Sequence, residues 1–254
     1  MNKPRIRTYK TEAVVLKQTP LSEADRILTF LTPDLGKVRA VAKGVRRTKS
    51  RLAGHLELLS HASVSLTMGR NLDTVNEAQG INSFRAVRDD LQRVSMGLYI
   101  AELIDAFSTE GAANYSLFHR VIRTLSWLGS AQNPDLLVRH FELHLLVDSG
   151  YEPEIISCVE CRETLEPADH LFAPMSGGVL CPGCRKHSSE ALIPLSMNAM
   201  KVFRFLRRES SYDRVDALEV GPSLVSEMER LLRNYIRFIL EKELKSAEFM
   251  NLVR

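Results

Sequence analysis

The sequence predicts an α+β protein of several domains: an N-terminal β-barrel, then an α-helical body with an inserted cysteine-rich module. Hydrophobic residues alternate with period two up to about residue 80 and recur at helical spacing from about residue 82. All four cysteines lie in two Cys-x-x-Cys pairs. We therefore predict a barrel domain over residues 1–80, a helical domain over 81–150 and 190–254, and a zinc-binding module over 151–189.

The first 80 residues contain about five short segments with the pattern of antiparallel strands. In one of them Val38, Ala40 and Ala42 alternate with Lys37 and Arg39. Turn-forming residues such as the Pro-Asp-Leu-Gly sequence at 33–36 separate the segments. Five short strands in about seventy residues suit a small closed barrel such as the OB-fold, and an SH3-like barrel has the same periodicity.

Three amphipathic helices are predicted directly after the barrel, because apolar residues recur every three or four positions. Asn133, followed by proline, marks one helix start, and Gly150 marks the end of that helix. Two further helices are predicted after the cysteines. Ser196 caps the first, and Pro222 opens a longer one that extends to Leu244.

The cysteine pairs are the most specific signal in the chain. Cys158 and Cys161 precede Cys181 and Cys184 by nineteen residues, and two such pairs can surround one tetrahedral Zn²⁺ at about 2.3 Å. Four thiolates leave no coordination position for a substrate, so the predicted ion is structural. A disulfide framework, a redox pair and an iron–sulfur cluster are the alternatives. Without a secretory signal or further cysteines, metal binding is favoured.

The segment around the cysteines is loop-rich and would depend on metal to fold. His170 and His187 are near enough in sequence to replace a thiolate, but we expect them to be ordinary surface histidines. His140 and His144 resemble the spacing of a metalloprotease helix. Because Glu142 would lie about 200° around that helix from His140, it could not act as a base at such a metal.

Positive charge is concentrated in the N-terminal segment. Residues 1–80 contain fourteen Lys or Arg against seven Asp or Glu, whereas the remainder contains twenty against twenty-four. Seven basic residues and no acid fall within fifteen positions: Lys37, Arg39, Lys43, Arg46, Arg47, Lys49 and Arg51. A basic strand that continues into a basic loop is typical of a surface that follows a phosphate backbone. We predict that these residues bind nucleic acid, with Arg26 as a weaker candidate; an ordinary solvated surface is the alternative.

No motif for nucleotide hydrolysis, dinucleotide binding or a nucleophile elbow is present, and we predict no catalytic residues. Tyr9 and Phe30 are the only aromatic residues before Phe84, and we expect Phe30 in the core. Phosphate contacts would then dominate, with weak sequence preference and strong salt dependence. The chain lacks an apolar run of about 18 residues, so we expect a soluble cytoplasmic protein that does not contact membranes.

With these features in place, the chain resembles the RecO family of bacterial recombination and repair mediators. The segments that carry the resemblance are Glu12-Ala-Val-Val-Leu16, Glu23-Ala-Asp-Arg-Ile-Leu28, Gly36-Lys-Val-Arg-Ala-Val-Ala-Lys-Gly44, Lys49-Ser-Arg-Leu52, Gly150-Tyr-Glu-Pro153 and Gly177-Gly-Val-Leu-Cys181. Arg162 departs from the pattern, because a glycine commonly follows the second cysteine. A glycine there would serve the turn and not the metal.

The resemblance implies an N-terminal OB-fold, a helical body and a structural zinc module. It also implies binding of single- and double-stranded DNA and annealing of complementary strands. The family helps to load the RecA recombinase onto DNA coated by single-strand-binding protein, with RecR as partner, at the bacterial nucleoid. The expected function is therefore a non-enzymatic DNA-binding protein of recombinational repair. An RNA-binding or transcription-associated protein with an OB-fold and a zinc ribbon is the alternative.

Overall fold

The computed structural model describes residues 7–253, which form two compact units. The first unit contains the described chain up to Ser130 and the segment from Lys245 onward, and the second comprises Ala131–Leu244. The second unit is therefore inserted into the first. The domain boundaries predicted at residues 80, 150 and 189 separate segments that would each fold as a unit, and these boundaries remain a prediction. Within residues 7–253, no helix is both long and apolar enough to cross a membrane.

Five strands of the first unit close into a barrel. They are β1 (Thr8–Pro20), β2 (Arg26–Thr32), β3 (Gly36–Ala42), β4 (His61–Thr67) and β5 (Asp73–Asn82). Their order around the barrel is β1-β2-β3-β5-β4. The β3–β5 pair is parallel and the other pairs are antiparallel. A five-stranded Greek-key barrel of this kind is an OB-fold, which confirms the predicted fold class.

The barrel core follows the period-two pattern on β3, where Val38, Ala40 and Ala42 point inward and Arg39 is exposed. Phe30 of β2 is fully buried in the same core, as predicted. On β1 the alternation fails, because four consecutive residues, 13–16, are all buried. Helices of the first unit pack against β1 and β2, so these strands are covered on both faces.

The helices of the first unit are α1 (Arg85–Arg88), α2 (Leu91–Phe107), α3 (Tyr115–Leu128) and α8 (Lys245–Val253). The last helix, α8, packs on α2 although the second unit separates them in sequence. Glu102 of α2 accepts hydrogen bonds from the backbone N–H groups of Lys245 (3.2 Å) and Ser246 (2.8 Å). A carboxylate from one helix therefore satisfies the free N–H groups at the start of another.

The second unit contains α4 (Pro134–Asp148), α5 (Met197–Arg208), α6 (Tyr212–Asp216) and α7 (Pro222–Leu240). It also contains a small sheet of β6 (His170–Ala173), β7 (Gly178–Leu180) and β8 (Ile193–Leu195), in the order β7-β6-β8. The predicted caps are confirmed, since Asn133 accepts from Leu136 N and Ser196 from Ala199 N. The predicted extension of α7 to Leu244 is wrong. The helix ends at Leu240 because Glu241 is left-handed, with φ of 53°.

Candidate nucleic-acid interface and metal site

The basic loop, residues 43–51, follows β3 at one end of the barrel. Its five cationic side chains are exposed: Lys43, Arg46, Arg47, Lys49 and Arg51. Within the described chain, none of the five forms a salt bridge. Val45 is buried in the barrel core, so the loop is held at its centre by an apolar side chain. The cations are therefore free to meet an anionic ligand.

A carboxylate on the neighbouring β1–β2 turn fixes the start of the basic loop. Asp25 Oδ1 accepts a hydrogen bond from Gly44 N at 2.7 Å, and Arg46 N donates to Ala24 O at 3.0 Å. Gly44 has φ of +64°, a conformation that glycine adopts without strain. No short-range pattern in the sequence connects these positions, so the sequence alone does not predict a role for Asp25. The structure gives it a positioning role.

The charge state of Asp25 suits this role. The hydrogen bond from Gly44 holds the pKa of Asp25 below its ordinary value. The Ser22 hydroxyl and the positive charges of Arg47 and Lys43 lower the pKa further, against an opposing effect of desolvation. A carboxyl group with a depressed pKa stabilises the fold above its ordinary pKa and loses this effect only as the pH falls through the lowered value. The anchor is therefore in place at neutral pH.

Two of the eight predicted DNA-binding residues are engaged inside the protein. Lys37 is only 18% exposed, and its Nζ lies 2.7 Å from the backbone oxygen of Asp105 and 3.3 Å from its Oδ1. Arg26 is half-buried and donates to Gln18 Oε1. Arg39 is exposed on the outer face of β3. Six of the eight predicted residues therefore present an exposed charge.

Sequence reasoning missed three basic residues at the other end of the barrel. Arg7, Lys10 and Arg70 line a groove of about 600 Å³ together with Arg39 and the half-buried Tyr9. Arg7 and Lys10 belong to a run of four basic residues without an acid at positions 3–10, a signal that could have indicated them, whereas Arg70 lies in a separate segment. Only the closure of the barrel brings them together.

The four cysteines lie together in the second unit. Their sulfur atoms are all within 4.8 Å of one another, and Cys161 Sγ lies 3.8 Å from Cys181 Sγ. A tetrahedral ion with ligands at about 2.3 Å requires ligand atoms about 3.8 Å apart. All four cysteines are free, so none is held in a disulfide. The donor set fits a tetrahedral metal ion.

Backbone N–H groups surround the buried sulfur of the site. Cys181 N donates to Cys158 Sγ at 3.3 Å. Burial acts to raise the pKa of Cys158, but N–H groups of Cys181, Cys161 and Glu160 outweigh it and lower that pKa to about 6. The thiolate is the form of cysteine that binds metal. The backbone therefore prepares this side chain for coordination.

Arg162, which stands where the RecO pattern commonly has glycine, adopts a left-handed backbone conformation. Arg162 has φ of +64°, and its N–H donates to Cys158 O at 3.0 Å, which closes the turn of the first cysteine pair. The interpretation that this position serves the turn is consistent with this geometry. The second pair is built differently, since Cys184 opens a 3₁₀ turn, Cys184–His187, in which Arg185 is right-handed.

The histidines do not join the metal site. His170 is buried and its Nε2 lies 2.8 Å from Glu166 O, so the expectation of a surface position was wrong for it. His187 is exposed, as expected. His140 Nε2 and His144 Nε2 lie 2.8 Å and 3.1 Å from backbone oxygens at the end of α5. The Nε2 atoms of both histidines therefore lie against backbone carbonyl oxygens of the second unit.

Comparison with known proteins places these features in one family. Residues 6–84 match the model described as Recombination protein O N terminal, and residues 88–248 match Recombination protein O C terminal. A DNA repair protein RecO from Dehalococcoides mccartyi (strain CBDB1) is 41% identical over 254 residues, which cover 100% of this chain and 98% of the relative. The DNA repair protein RecO of Roseiflexus sp. (strain RS-1) is 40% identical, with 98% and 87% covered. That of Symbiobacterium thermophilum is 34% identical, with 97% and 98% covered. The chain therefore belongs to the RecO family of DNA repair proteins.

Proposed function

We propose that this protein is a non-enzymatic DNA-binding protein of recombinational repair, which binds single- and double-stranded DNA and anneals complementary strands. The observation that carries the proposal is the anchored basic loop, residues 43–51, with its five exposed cations outside any salt bridge of the described chain. The charge excess of the N-terminal segment and the names of the relatives support the same conclusion.

The basic loop binds phosphates through charge. Each cation that neutralises a phosphate releases condensed counterions. The plot of log K against the logarithm of the salt concentration therefore becomes steeper, by about −0.9 per contact for duplex and about −0.7 for single strands. Arg39 extends this surface along β3. Because such contacts read no base, the binding is expected to be strong at low salt and largely independent of sequence.

Annealing follows from the same charge. Two complementary strands repel each other through their phosphates, and a surface that neutralises both raises the rate at which they meet. No covalent bond is made or broken in this process. The proposed activity therefore requires no catalytic side chain.

We infer that the four cysteines hold a structural Zn²⁺. Cys158, Cys161, Cys181 and Cys184 supply four thiolates, so the ion would crosslink the loops of the second unit without an open position for substrate. Such an ion contributes folding free energy to a segment with little core of its own. DNA binding by the barrel would depend on it only indirectly.

Membership of the family supports a proposal for the partners. We propose that the protein acts in the bacterial cytoplasm at the nucleoid and helps to load RecA onto single strands coated by single-strand-binding protein, together with RecR. Support comes from the match of both family models across nearly the whole chain. A surface that binds single strands and speeds their pairing suits this context.

Charge reversal in the basic loop tests the proposal. The double variant Arg46→Glu and Arg47→Glu should weaken binding to all DNA sequences alike, flatten the salt slope by about one unit per lost contact, and slow annealing. The double variant Lys201→Glu and Arg230→Glu, at exposed positions on α5 and α7, is the matched control for the same change of net charge. Annealing that survives the double variant unchanged would refute the assignment. Preference of the unmodified protein for structured RNA would favour the RNA-binding alternative.

A further inference from the structure

The four cysteines of the cluster differ in their access to solvent. Cys158 is fully buried, Cys181 and Cys184 are partly exposed, and Cys161 is exposed. A structural site holds its ion through four thiolates whether or not they are exposed, so the staple role does not require this gradient. Exposed thiolates react with dissolved oxidants, whereas buried structural cysteines are inert. Cys161 is therefore the sulfur that an oxidant reaches first.

A second sulfur lies within reach of Cys161. The Sγ atom of Cys161 is 3.8 Å from that of Cys181, which belongs to the other Cys-x-x-Cys pair. A disulfide bond is about 2.05 Å long, so the two atoms must approach by about 1.8 Å, a distance that rotation of the side chains can supply. Neither cysteine is held in a disulfide. An oxidised Cys161 therefore has a thiol beside it that can resolve it.

We propose that Cys161 and Cys181 form a peroxide-sensitive thiol pair, whose oxidation to a disulfide dismantles the metal site. The oxidant is a hydroperoxide, of which hydrogen peroxide is the simplest. The inference rests on the proposed structural ion and goes beyond it, because it makes a site that holds loops together responsive to redox conditions.

The reaction takes place in two steps. The Cys161 thiolate attacks one oxygen of hydrogen peroxide: the S–O bond forms, the O–O bond breaks, and the hydroxide that leaves takes up a proton to give water. The Cys181 thiolate then attacks Cys161 Sγ, so that the S–S bond forms, the S–O bond breaks and a second hydroxide leaves and becomes water. The two thiolates lose two electrons and the peroxide gains them, with two protons taken from solvent.

The disulfide removes two of the four ligands. Cys158 and Cys184 remain as thiolates, whereas a structural zinc site requires four ligands. Because metal binding contributes to the folding of a loop-rich segment, release of the ion loosens residues 151–189. The cysteines belong to the second unit and the basic loop to the first. Oxidation therefore acts on the metal module and leaves the residues proposed to bind phosphate chemically unchanged.

Peptide mapping of the full-length protein tests the pair, because a trypsin site at Arg162 separates the first two cysteines from the last two. Trypsin yields the peptides 140–162 and 163–185, each with one Cys-x-x-Cys pair. The protein is treated with one equivalent of hydrogen peroxide, its remaining thiols are alkylated in denaturant, and the digest is analysed by mass spectrometry. We expect the two peptides to be joined. A disulfide within either pair leaves them separate and would overturn the proposal.

Two variants assign the bond to its residues. Cys161→Ser should abolish the joined peptides. The matched control is Cys184→Ser, which also removes one of the four thiols but leaves the proposed pair intact, so the joined peptides should persist. Joined peptides that persist in Cys161→Ser, or that are lost in Cys184→Ser, would refute the assignment. If a variant fails to fold, fragment ions of the joined peptides from the unmodified protein locate the bond.

A chromogenic chelator follows the metal in the same reaction. Protein loaded with Zn²⁺ should release the ion as the peptides become joined, and dithiothreitol with added Zn²⁺ should restore binding. Joined peptides without release of Zn²⁺ would overturn the switch. Protein that binds no Zn²⁺ before oxidation would contradict the proposed metal site, whereas the joined peptides report on the thiol pair with or without metal.

Discussion

Replacement of Arg162 by glycine should strengthen the metal module. A left-handed conformation costs a non-glycine residue about 1–2 kcal/mol, and Arg162 has φ of +64°. The greater freedom of glycine in the unfolded chain costs about 0.5–1 kcal/mol in return. Arg162 is exposed, so its removal forfeits no buried contact. The expected net stabilisation is about 0.5–1 kcal/mol.

Metal affinity is the property in which this gain should appear. Because the module would fold as it binds the ion, stabilisation of the bound turn is stabilisation of the complex. A gain of about 0.5–1 kcal/mol corresponds to roughly 2- to 5-fold tighter apparent binding. Competition of the full-length protein with a chromogenic chelator, at one fixed pH, measures this ratio directly.

The control is the equivalent position of the second cysteine pair. Arg185 also follows the second cysteine of its pair, but it lies in a right-handed 3₁₀ turn. Arg185→Gly should therefore weaken metal binding or leave it unchanged. Equal gains at the two positions, or no gain at Arg162, would refute the argument from backbone strain.

Three further predictions concern the barrel and the cysteines. Asp25→Ala should weaken single-strand binding, although it removes a negative charge, because the basic loop loses its anchor. The control Glu23→Ala, on the same turn, should bind slightly tighter. Tighter binding by Asp25→Ala in an anisotropy titration would contradict this reasoning. Lys37→Ala should lower the free energy of unfolding by about 1 kcal/mol, because it breaks a partly buried ion pair, and should leave the salt slope of DNA binding unchanged. Thermal melts and salt titrations measure the two effects, and a slope reduced by one unit would show a phosphate contact. Cys158→Ala should abolish metal binding and make residues 151–189 sensitive to limited proteolysis. Its DNA affinity should stay within about twofold of that of the unmodified protein. A variant that stays folded yet loses DNA binding would show that the site acts directly on DNA.

The sequence predicted features that depend on short-range patterns. The period of two identified strand β3, in which Val38, Ala40 and Ala42 point inward as the alternation predicts. The burial of Val14 and Leu16, on the face of β1 opposite the core residues Ala13 and Val15, could not be predicted, because the helix that covers them is identified only by the fold. The cysteine spacing predicted the sulfur cluster, since a tight turn lets two cysteines that are separated by two residues reach the same metal ion.

The candidate DNA surface shows the same limit. The basic loop is a run of charge in the sequence, and the structure leaves its side chains exposed. Lys37 belongs to the same run, but its partner Asp105 is 68 residues away, and no local pattern indicates that pair. Arg7, Lys10 and Arg70 show the same limit, because the groove that they line is formed by segments that are far apart in the sequence.

The cap that Glu102 places on α8 has a consequence for synthesis of the protein. The barrel and α2 leave the ribosome first, but α8, which packs on α2, is made only after the whole second unit. At about 5–20 residues per second, that insertion delays completion of the first unit by roughly 6–23 s. Until then, α2 lacks the helix that packs on it, including the buried residues Ala247 and Met250 of α8. Loss of the last helix through a premature stop codon would therefore damage the unit that is translated first.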